Sequence, residues 1–326
     1  MKINKLCCII SAVLAGTTLS LATNAVAQSY PNKAVRIIVP FGAGGGTDIQ
    51  ARLLSKNFYD SMKQTFIIDN RSGAAGLIGG EIAVQSPPDG YTILFTTASL
   101  AVNVTLYAKR IKFDPLKDLE PISWISSAPL VLVVHPSVPA KSVKELVALA
   151  KQAKGKMVAG SNGAGTTSSL AVEMLKQMAG VDVIHVPYKG GGPSIIALIS
   201  GETDMLFATG PASAPFIKQG KVRALAVTTA KRASALPDIP TLSSIYPGFE
   251  SDNWYAMFFP KGTPKAMVDK INSEIKKALS ASDVSEFMKR EVIDPVGSTP
   301  EELTAYFKRE VDKYAKVIKA GNITVQ

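Results

Sequence analysis

Cysteine is almost absent from this sequence of 326 residues: Cys7 and Cys8 are the only two, and both lie close to its start. The rest of the chain therefore has neither a disulfide framework nor a cysteine nucleophile. Its stability must come from an ordinary hydrophobic core. Roughly 300 residues can build such a core, most simply as two lobes.

Histidine is scarce too, with only His135 and His185, and each flanks a strand-like run and a proline. Two separated histidines do not make a metal site. The motifs G-x-S-x-G and H-E-x-x-H are missing, and the S-x-x-K match at Ser273 to Lys276 lies in a polar helical stretch where chance explains it. We therefore expect no catalytic residues, no metal and no cofactor.

The formal net charge is +10, but the basic residues are scattered along the chain. Aromatic and basic residues do not alternate in the way that single-stranded nucleic acid binding requires. The charge indicates a solvated surface with a mild bias toward anionic ligands, and we expect no nucleic-acid partner.

The first 27 residues have the layout of a cleavable secretory signal peptide. Lys2 and Lys5 precede an apolar run, and small residues at Ala25 and Ala27 mark a cleavage site before Gln28. A retained membrane anchor is the weaker alternative, because threonines interrupt the run and no basic stop-transfer flank follows. The sequence thus predicts export to the periplasm.

Beyond that segment, short apolar runs alternate with helical patterns, which favours α/β lobes with largely parallel sheets. The run "VRIIVP" predicts the first strand and "TDIQARLLSKNFYDSM" the first helix. After "PLVLVVHP" the pattern of strands and helices starts again. The chain is expected to pass between the lobes near Ile125 to Val133 and again near Glu250 to Phe258.

Each half contains a strand, a glycine-rich turn and a capped helix: "IIVPFGAGGGTD" in the first and "MVAGSNGAGTTSS" in the second. Unpaired N–H groups at such a helix start can converge on an anion, and a carboxylate accepts several of them. A single turn of this kind is equally compatible with a purely structural role. Two matching turns indicate a cleft that holds an anionic ligand.

A dinucleotide site is the competing interpretation of the first turn. The segment "GAGGGT" matches two glycines of G-x-G-x-x-G, but Thr47 stands at the third, and Asp69 lies where a ribose-binding acid would. Export argues against it, since an exported chain meets little dinucleotide.

A few side chains add further candidates. Phe41 and Tyr188 can wall a pocket, whereas Trp254 is predicted to be core at the second crossover. Asp204 can bind a ligand amine from a strand end or simply belong to a turn.

Seven segments in order, including "RIIVPFGAGGGTDIQARLL", "GSNGAGTTSSL" and "VPYKGGGPSIIALISGETDML", closely resemble the Bug-type solute receptors of tripartite tricarboxylate transporters. The resemblance covers essentially all of the chain after the signal peptide. It implies a type II periplasmic binding protein with two α/β lobes, two crossover strands and a ligand cleft between them. Lobe 1 would comprise residues 28–127 and 250–326, and lobe 2 residues 128–249.

The same resemblance implies a small organic carboxylate as ligand, a membrane permease of the same transporter type as partner, and a monomeric receptor. Ligand contacts are expected from both glycine turns and the strand ends beside them. The residues that it assigns are Phe41, Gly42, Ala43, Gly44, Gly45, Thr97, Ser99, Ser161, Asn162, Gly163, Thr166, Thr167 and Tyr188. A sensor feeding a signalling pathway, and a periplasmic hydrolase using the same cleft, are the alternatives.

Overall fold

The computed structural model describes residues 30–229, 231–233, 235–320 and 323–324. The predicted signal peptide, residues 1–27, lies outside the described part of the chain. Every element named below belongs to the compact unit Lys33–Gln326. Within the described ranges, no helix is both long and apolar enough to cross a bilayer.

Eleven strands and ten helices are found in the described residues. The strands are β1 (Val35–Val39), β2 (Phe66–Asn70), β3 (Thr92–Thr97), β4 (Leu119–Ala128), β5 (Leu130–Val134), β6 (Val158–Ser161), β7 (Ile184–Pro187), β8 (Met205–Thr209), β9 (Arg223–Val227), β10 (Asn253–Pro260) and β11 (Asp294–Pro295). The helices are α1 (Gly46–Met62), α2 (Leu77–Val84), α3 (Ser99–Leu106), α4 (Val143–Ala153), α5 (Thr167–Ala179), α6 (Gly191–Ile199), α7 (Gly210–Lys218), α8 (Lys265–Ser280), α9 (Ser282–Arg290) and α10 (Pro300–Ala320). Short 3₁₀ turns cover Ala74–Gly76 and Leu242–Ser244.

The strands form two sheets, ordered β11-β4-β10-β3-β1-β2 and β7-β6-β8-β5-β9. Pairing is parallel within β2-β1-β3 and within β7-β6-β8, as βαβ connections require. It is antiparallel wherever β10, β5 or β11 takes part. The expectation of largely parallel sheets was therefore wrong, and both sheets are mixed.

Two of the antiparallel strands, β5 and β10, arrive from the other sheet. Only Pro129 separates the end of β4 at Ala128 from the start of β5 at Leu130. The chain has no room to turn back, so β5 continues away from the first sheet. Leu130 pairs with Thr209, the last residue of β8, and β5 therefore begins where the parallel strands of its own sheet end.

The central strands of both sheets are buried on both faces because helices cover them, whereas the edge strands β2 and β7 are partly exposed. All five residues of β5 are buried, and so is nearly all of β1. The predicted core position of Trp254 is confirmed: its ring is fully buried, meets Phe307 edge-on at 6.0 Å and donates its Nε1–H to Glu310 at 3.0 Å. Helix α10 thus packs on the first sheet through an aromatic cluster.

The two chain passages between the sheets are tied together by Thr228. Its hydroxyl accepts the N–H of Leu130 at 3.0 Å and donates to the carbonyl of Ser251 at 2.9 Å. Leu130 lies at the first passage and Ser251 at the second, and the Thr228 side chain is fully buried. The passages are therefore held as one unit beside the junction of the two sheets.

Asp252 lies in this junction and is largely buried. Burial, together with the neighbouring carboxylates Glu250 and Glu310, raises the pKa of Asp252 to about 6, although Lys313 acts in the opposite direction. Its Oδ1 has no hydrogen-bond partner among the described residues. Ionising this carboxyl group therefore opposes folding.

Replacing Asp252 by asparagine should stabilise the protein above about pH 6, where the wild-type carboxyl group is charged. Because its folded-state pKa exceeds the unfolded value, the stability that the protonated group contributes is lost as pH rises from about 4 to about 6. The expected gain in unfolding free energy is about 3 kcal/mol at neutral pH, vanishing near pH 4. Urea denaturation at both pH values measures it.

Asp312→Asn is the matched control, since Asp312 is an exposed carboxylate on α10. It should change stability by less than about 0.5 kcal/mol at either pH. Equal effects of the two substitutions at neutral pH would contradict the role given to Asp252.

Candidate functional site

Five helices begin at the line where the two sheets face each other. In the first sheet, α1 follows β1 and α3 follows β3; in the second, α5, α6 and α7 follow β6, β7 and β8. The first N–H groups of a helix have no partner within that helix, and each helix start carries a partial positive charge of about half an elementary unit. Their convergence creates an anion-binding environment without any cationic side chain.

The turn before α1 is shaped by Asp48, which lies in the first turn of that helix. Its Oδ2 accepts the N–H of Gly44 at 3.0 Å, and both carboxylate oxygens accept hydrogen bonds from Arg52 at 3.0 Å. Burial tends to raise the pKa of Asp48, but the bonds from Arg52 and Gly44 outweigh it, and the pKa lies below its usual value. Asp48 therefore stays ionised and fixes the turn, with Gly44 at φ +76°.

The turn before α5 is fixed by its own hydroxyl groups. Thr166 caps the helix by accepting the N–H of Ser169 at 3.2 Å, and its hydroxyl donates to the carbonyl of Gly163 at 2.7 Å. Thr167 donates its hydroxyl to Asn253 Oδ1 at 3.1 Å, and Asn253 is the first residue of β10. The second turn is thus bonded to the strand that returns to the first sheet.

A cavity of about 30 Å³, which we call the inner cavity, lies among these helix starts. Its walls are backbone, hydroxyl, amide and one phenyl ring, and none of the described residues that line it carries a charge. The lining consists of Phe41, Gly45, Gly46, Thr47, Thr97, Ser99, Asn162, Thr166, Thr167, Gly191, Thr209 and Asn253. The volume is sufficient for about two water molecules.

A second cavity of about 220 Å³, the outer cavity, shares Phe41 and Asn162 with the inner one. Loops from both sheets enclose it, and most of its lining is apolar. Besides those two residues it is lined by Pro40, Ser72, Gly73, Ala74, Ala75, Gly76, Tyr107, Gly163, Ala164, Pro187, Tyr188 and Lys189. Lys189 is the one charged residue in this lining.

The structure places half of the residues expected at a ligand in the inner cavity: Phe41, Gly45, Thr97, Ser99, Asn162, Thr166 and Thr167. Gly163 and Tyr188 line the outer cavity instead. The Tyr188 hydroxyl donates to Glu202 at 2.8 Å, and burial together with this bond raises the pKa of Tyr188 to about 12.

Three expected residues of the first turn make contacts between the two halves rather than lining the inner cavity. Gly42 donates its N–H to the carbonyl of Lys189 at 2.9 Å. Gly44 donates its N–H to Asp48, and its nearest neighbour across the junction is Gly192. The carbonyl of Ala43 is also packed closely against Gly192.

Two expected residues lie away from both cavities. Ser161 is fully buried at the end of β6, behind the turn. Asp204 precedes β8, at the opposite end of that strand from the inner cavity, and its Oδ2 accepts the N–H of Val158 at 2.7 Å. Asp204 therefore serves the start of two strands, which agrees with the alternative that it belongs to a turn.

Five residues of the inner cavity were not expected from the sequence: Gly46, Thr47, Gly191, Thr209 and Asn253. Gly191 and Thr209 belong to the starts of α6 and α7, which the sequence search did not treat as glycine-turn sites. Ligands of open α/β sheets bind at the carboxyl ends of parallel strands, and this rule predicts both Gly191 and Thr209 as ligand-site residues.

Asp69, the ribose-binding candidate of the dinucleotide interpretation, is held by two arginines. Arg36 donates to it from Nε at 2.7 Å, and Arg71 Nε lies 2.8 Å from its other oxygen. Within the described residues, no group of three or more histidine, cysteine, aspartate or glutamate side chains is arranged to hold a metal ion.

Comparisons with a family model, with a related sequence and with solved structures all indicate the same family. The model of the tripartite tricarboxylate transporter family receptor matches residues 50–323. Protein BugT of Bordetella pertussis is 33% identical over 322 residues, which is 98% of this chain and 98% of BugT. The structure of periplasmic binding protein BugD is 33% identical, with a TM-score of 0.88 over 91% of this chain and 100% of BugD. An R. palustris protein solved with adipate is 33% identical, with a TM-score of 0.87 over 90% of this chain and 99% of that one.

A substitution at Gly46, the first residue of α1, tests how closely the inner cavity is packed. A Cβ on Gly46 would overlap with the hydroxyl oxygen of Tyr255, a fully buried residue of β10 in the same sheet. Gly46→Ala should therefore lower the free energy of unfolding by about 1–3 kcal/mol through overpacking.

Combining Gly46→Ala with Tyr255→Phe should recover most of that loss, because the double variant removes the colliding oxygen. Urea denaturation of the wild type, both single variants and the double variant gives the coupling free energy. Strictly additive effects would show that the two groups do not collide.

Proposed function

Because this chain belongs to the tripartite tricarboxylate transporter family of receptors, we propose that it captures a small carboxylate-bearing ligand between its two sheets. Members of this family are periplasmic solute-binding proteins, and the chain is a binding receptor of that type rather than an enzyme. Its fold is that of a type II periplasmic binding protein.

The observation that carries the proposal is the convergence of five helix starts on one cavity without charged walls. A carboxylate there accepts N–H groups at the starts of α1, α5 and α6 and hydroxyl groups from Ser99 and Thr209, while the Thr97 hydroxyl donates to Ser99 at 3.0 Å. Hydrogen bonds to an ionised acceptor are stronger than neutral ones, and the helix dipoles add to them. Binding therefore needs no buried arginine or lysine.

The rest of the ligand is proposed to occupy the outer cavity, next to Phe41 and Asn162. The adipate in the R. palustris relative is a dicarboxylate with an apolar middle. That chemistry matches an inner cavity for one carboxylate and a mostly apolar outer cavity with Lys189 at its wall. We propose a ligand of this class: a small organic acid whose second end is apolar or anionic.

The two sheets are proposed to be the cores of two lobes, residues 28–127 with 250–326 and residues 128–249, that close on the ligand. The described arrangement has the turns in contact, through the bond from the Gly42 N–H to the Lys189 carbonyl. A ligand that bonds to both turns favours this arrangement over a separated one, because only here do both sets of donors reach it.

The closed receptor is proposed to act as a monomer and to deliver its ligand to the membrane permease of a tripartite tricarboxylate transporter. We also propose that residues 1–27 are a signal peptide that directs export.

The direct test of ligand class is native mass spectrometry of the purified protein, followed by thermal-shift measurements with mono-, di- and tricarboxylates. Stabilisation by nucleotides alone would overturn the proposal.

Thr209 offers a sharper test of the inner cavity. Apart from its contact with the Tyr255 hydroxyl, its buried hydroxyl has no hydrogen-bond partner among the described residues, and it makes no capping bond to α7. Thr209→Val keeps the shape but removes the donor. We expect carboxylate affinity to fall about tenfold, or about 1.4 kcal/mol, measured by calorimetric titration.

Thr203→Val is the matched control. Thr203 is equally buried and its hydroxyl also lacks a partner in the described part of the chain, but it lies beyond the far end of β8. This variant should bind carboxylates as the wild type does. Equal losses in both variants would mean that Thr209 acts through stability rather than through contact.

A substitution at Gly42 tests whether the contact between the two turns is needed for ligand binding. A Cβ at this position would lie 2.6 Å from the Lys189 carbonyl oxygen, so Gly42→Ala should separate the turns. Overpacking of this size costs about 1–3 kcal/mol, which predicts a loss of carboxylate affinity of about 5-fold to 150-fold.

Gly220→Ala is the control for Gly42→Ala. Gly220 has φ +67° and open space around its Cβ position, so alanine there adds backbone strain without touching the turns. Carboxylate affinity should stay at the wild-type value in this control. Unchanged affinity in Gly42→Ala would rule out closure through this contact.

A further inference from the structure

A chain of three polar side chains lies directly behind the second glycine turn. Glu173 Oε1 on α5 is 3.4 Å from His185 Nδ1 on β7, and His185 Nε2 is 2.7 Å from the Ser161 hydroxyl oxygen. The bond with His185, opposed by burial and assisted by Lys176, lowers the pKa of Glu173. Glu173 is therefore a carboxylate that holds the imidazole from one side while Ser161 holds it from the other.

The order serine, histidine, carboxylate is that of nucleophilic catalytic triads. A nucleophile must reach its substrate, however, and Ser161 has no exposed surface and lines neither cavity. Covalent catalysis by Ser161 is therefore excluded by access, and the arrangement requires a different explanation.

The carboxylate decides which imidazole nitrogen carries the proton. With Glu173 at Nδ1, the neutral ring keeps its proton there, so Nε2 accepts the Ser161 hydroxyl hydrogen. The lone pairs of Ser161 Oγ are then free to accept the N–H of Gly163, which lies 3.4 Å away. The tautomer of His185 thus sets the direction of a hydroxyl inside the turn.

Hydrogen bonds of the Gly163 carbonyl connect this turn to the wall of the inner cavity. The Gly163 carbonyl accepts the Thr166 hydroxyl at 2.7 Å and the Thr166 N–H at 3.2 Å. Thr166 lines the inner cavity and caps α5. Only a few hydrogen bonds therefore separate His185, whose side chain is 19% exposed, from the buried ligand wall.

We propose that His185 is a positioning residue for ligand binding: held by Glu173, it orients Ser161 and with it the turn before α5. The inference rests on the carboxylate function proposed above. Glu173 of α5 contacts the imidazole on one side and Ser161 of β6 on the other. Lys176, also on α5, pairs with Glu173 at 3.4 Å.

Calorimetric titration with adipate and with malate at about pH 8 tests the proposal. His185→Gln keeps an acceptor for Ser161, so its affinity should match that of the wild type. His185→Leu removes the acceptor and should bind about fivefold more weakly.

His135→Gln is the matched control, because His135 contacts Ser137 at 2.7 Å in an exposed turn. It should keep wild-type affinity, as should His135→Leu. Wild-type affinity in His185→Leu, or equal losses in His185→Gln and His185→Leu, would overturn the proposal.

A ligand-free measurement separates this inference from the proposed function. Nitrogen-15 spectra of the imidazole, assigned with the two glutamine variants, report the tautomer of His185 at about pH 8. A proton on Nδ1 supports the orientation of Ser161 by His185, and a proton on Nε2 contradicts it. If neither dicarboxylate binds, the carboxylate proposal fails, while the tautomer still decides whether His185 orients Ser161.

Discussion

One residue between two strands determines how the molecule is assembled. Because only Pro129 separates β4 from β5, the chain leaves the first sheet and enters the second without turning. The parallel strands of both sheets must then point their carboxyl ends toward the same junction. The antiparallel pairing of β4 with β10 returns the chain along the same path, and Thr228 bonds the two passages together.

Strand direction in turn decides where ligand-binding groups can be. Every helix that follows a parallel strand begins at the carboxyl end of that strand, so the helix starts of both sheets are brought face to face. Their N–H groups supply positive potential from the backbone, and threonine and serine side chains supply donors of short reach. Asp48 and Thr166 then hold the two turns in shape from within, which leaves the cavity walls uncharged.

The glycine turns of this site could be predicted from the sequence, but the arrangement of strands and helix starts in space could not. The turns around Gly45 and Thr166 could be predicted because glycine followed by a capping residue is a local pattern. Thr209 was missed because two prolines in nine residues hide the helix that it precedes. The two alternatives for Asp204 stayed open because sequence alone does not reveal which end of a strand a residue occupies. The mixed sheets were missed because pairing direction depends on Pro129, which a search for periodicity does not weigh.

A receptor that must release its cargo gains from a site made in this way. A buried arginine paired with the carboxylate would leave an unpaired charge when the ligand departs, which slows dissociation. Helix starts and hydroxyl groups are neutral, and water can replace the ligand at each of them when it departs. The same neutrality makes the cavity depend on the groups that hold its turns in shape. A histidine at the back of a turn can therefore influence affinity through the hydrogen bonds of that turn, without contacting the ligand and without adding a charge to the cavity walls.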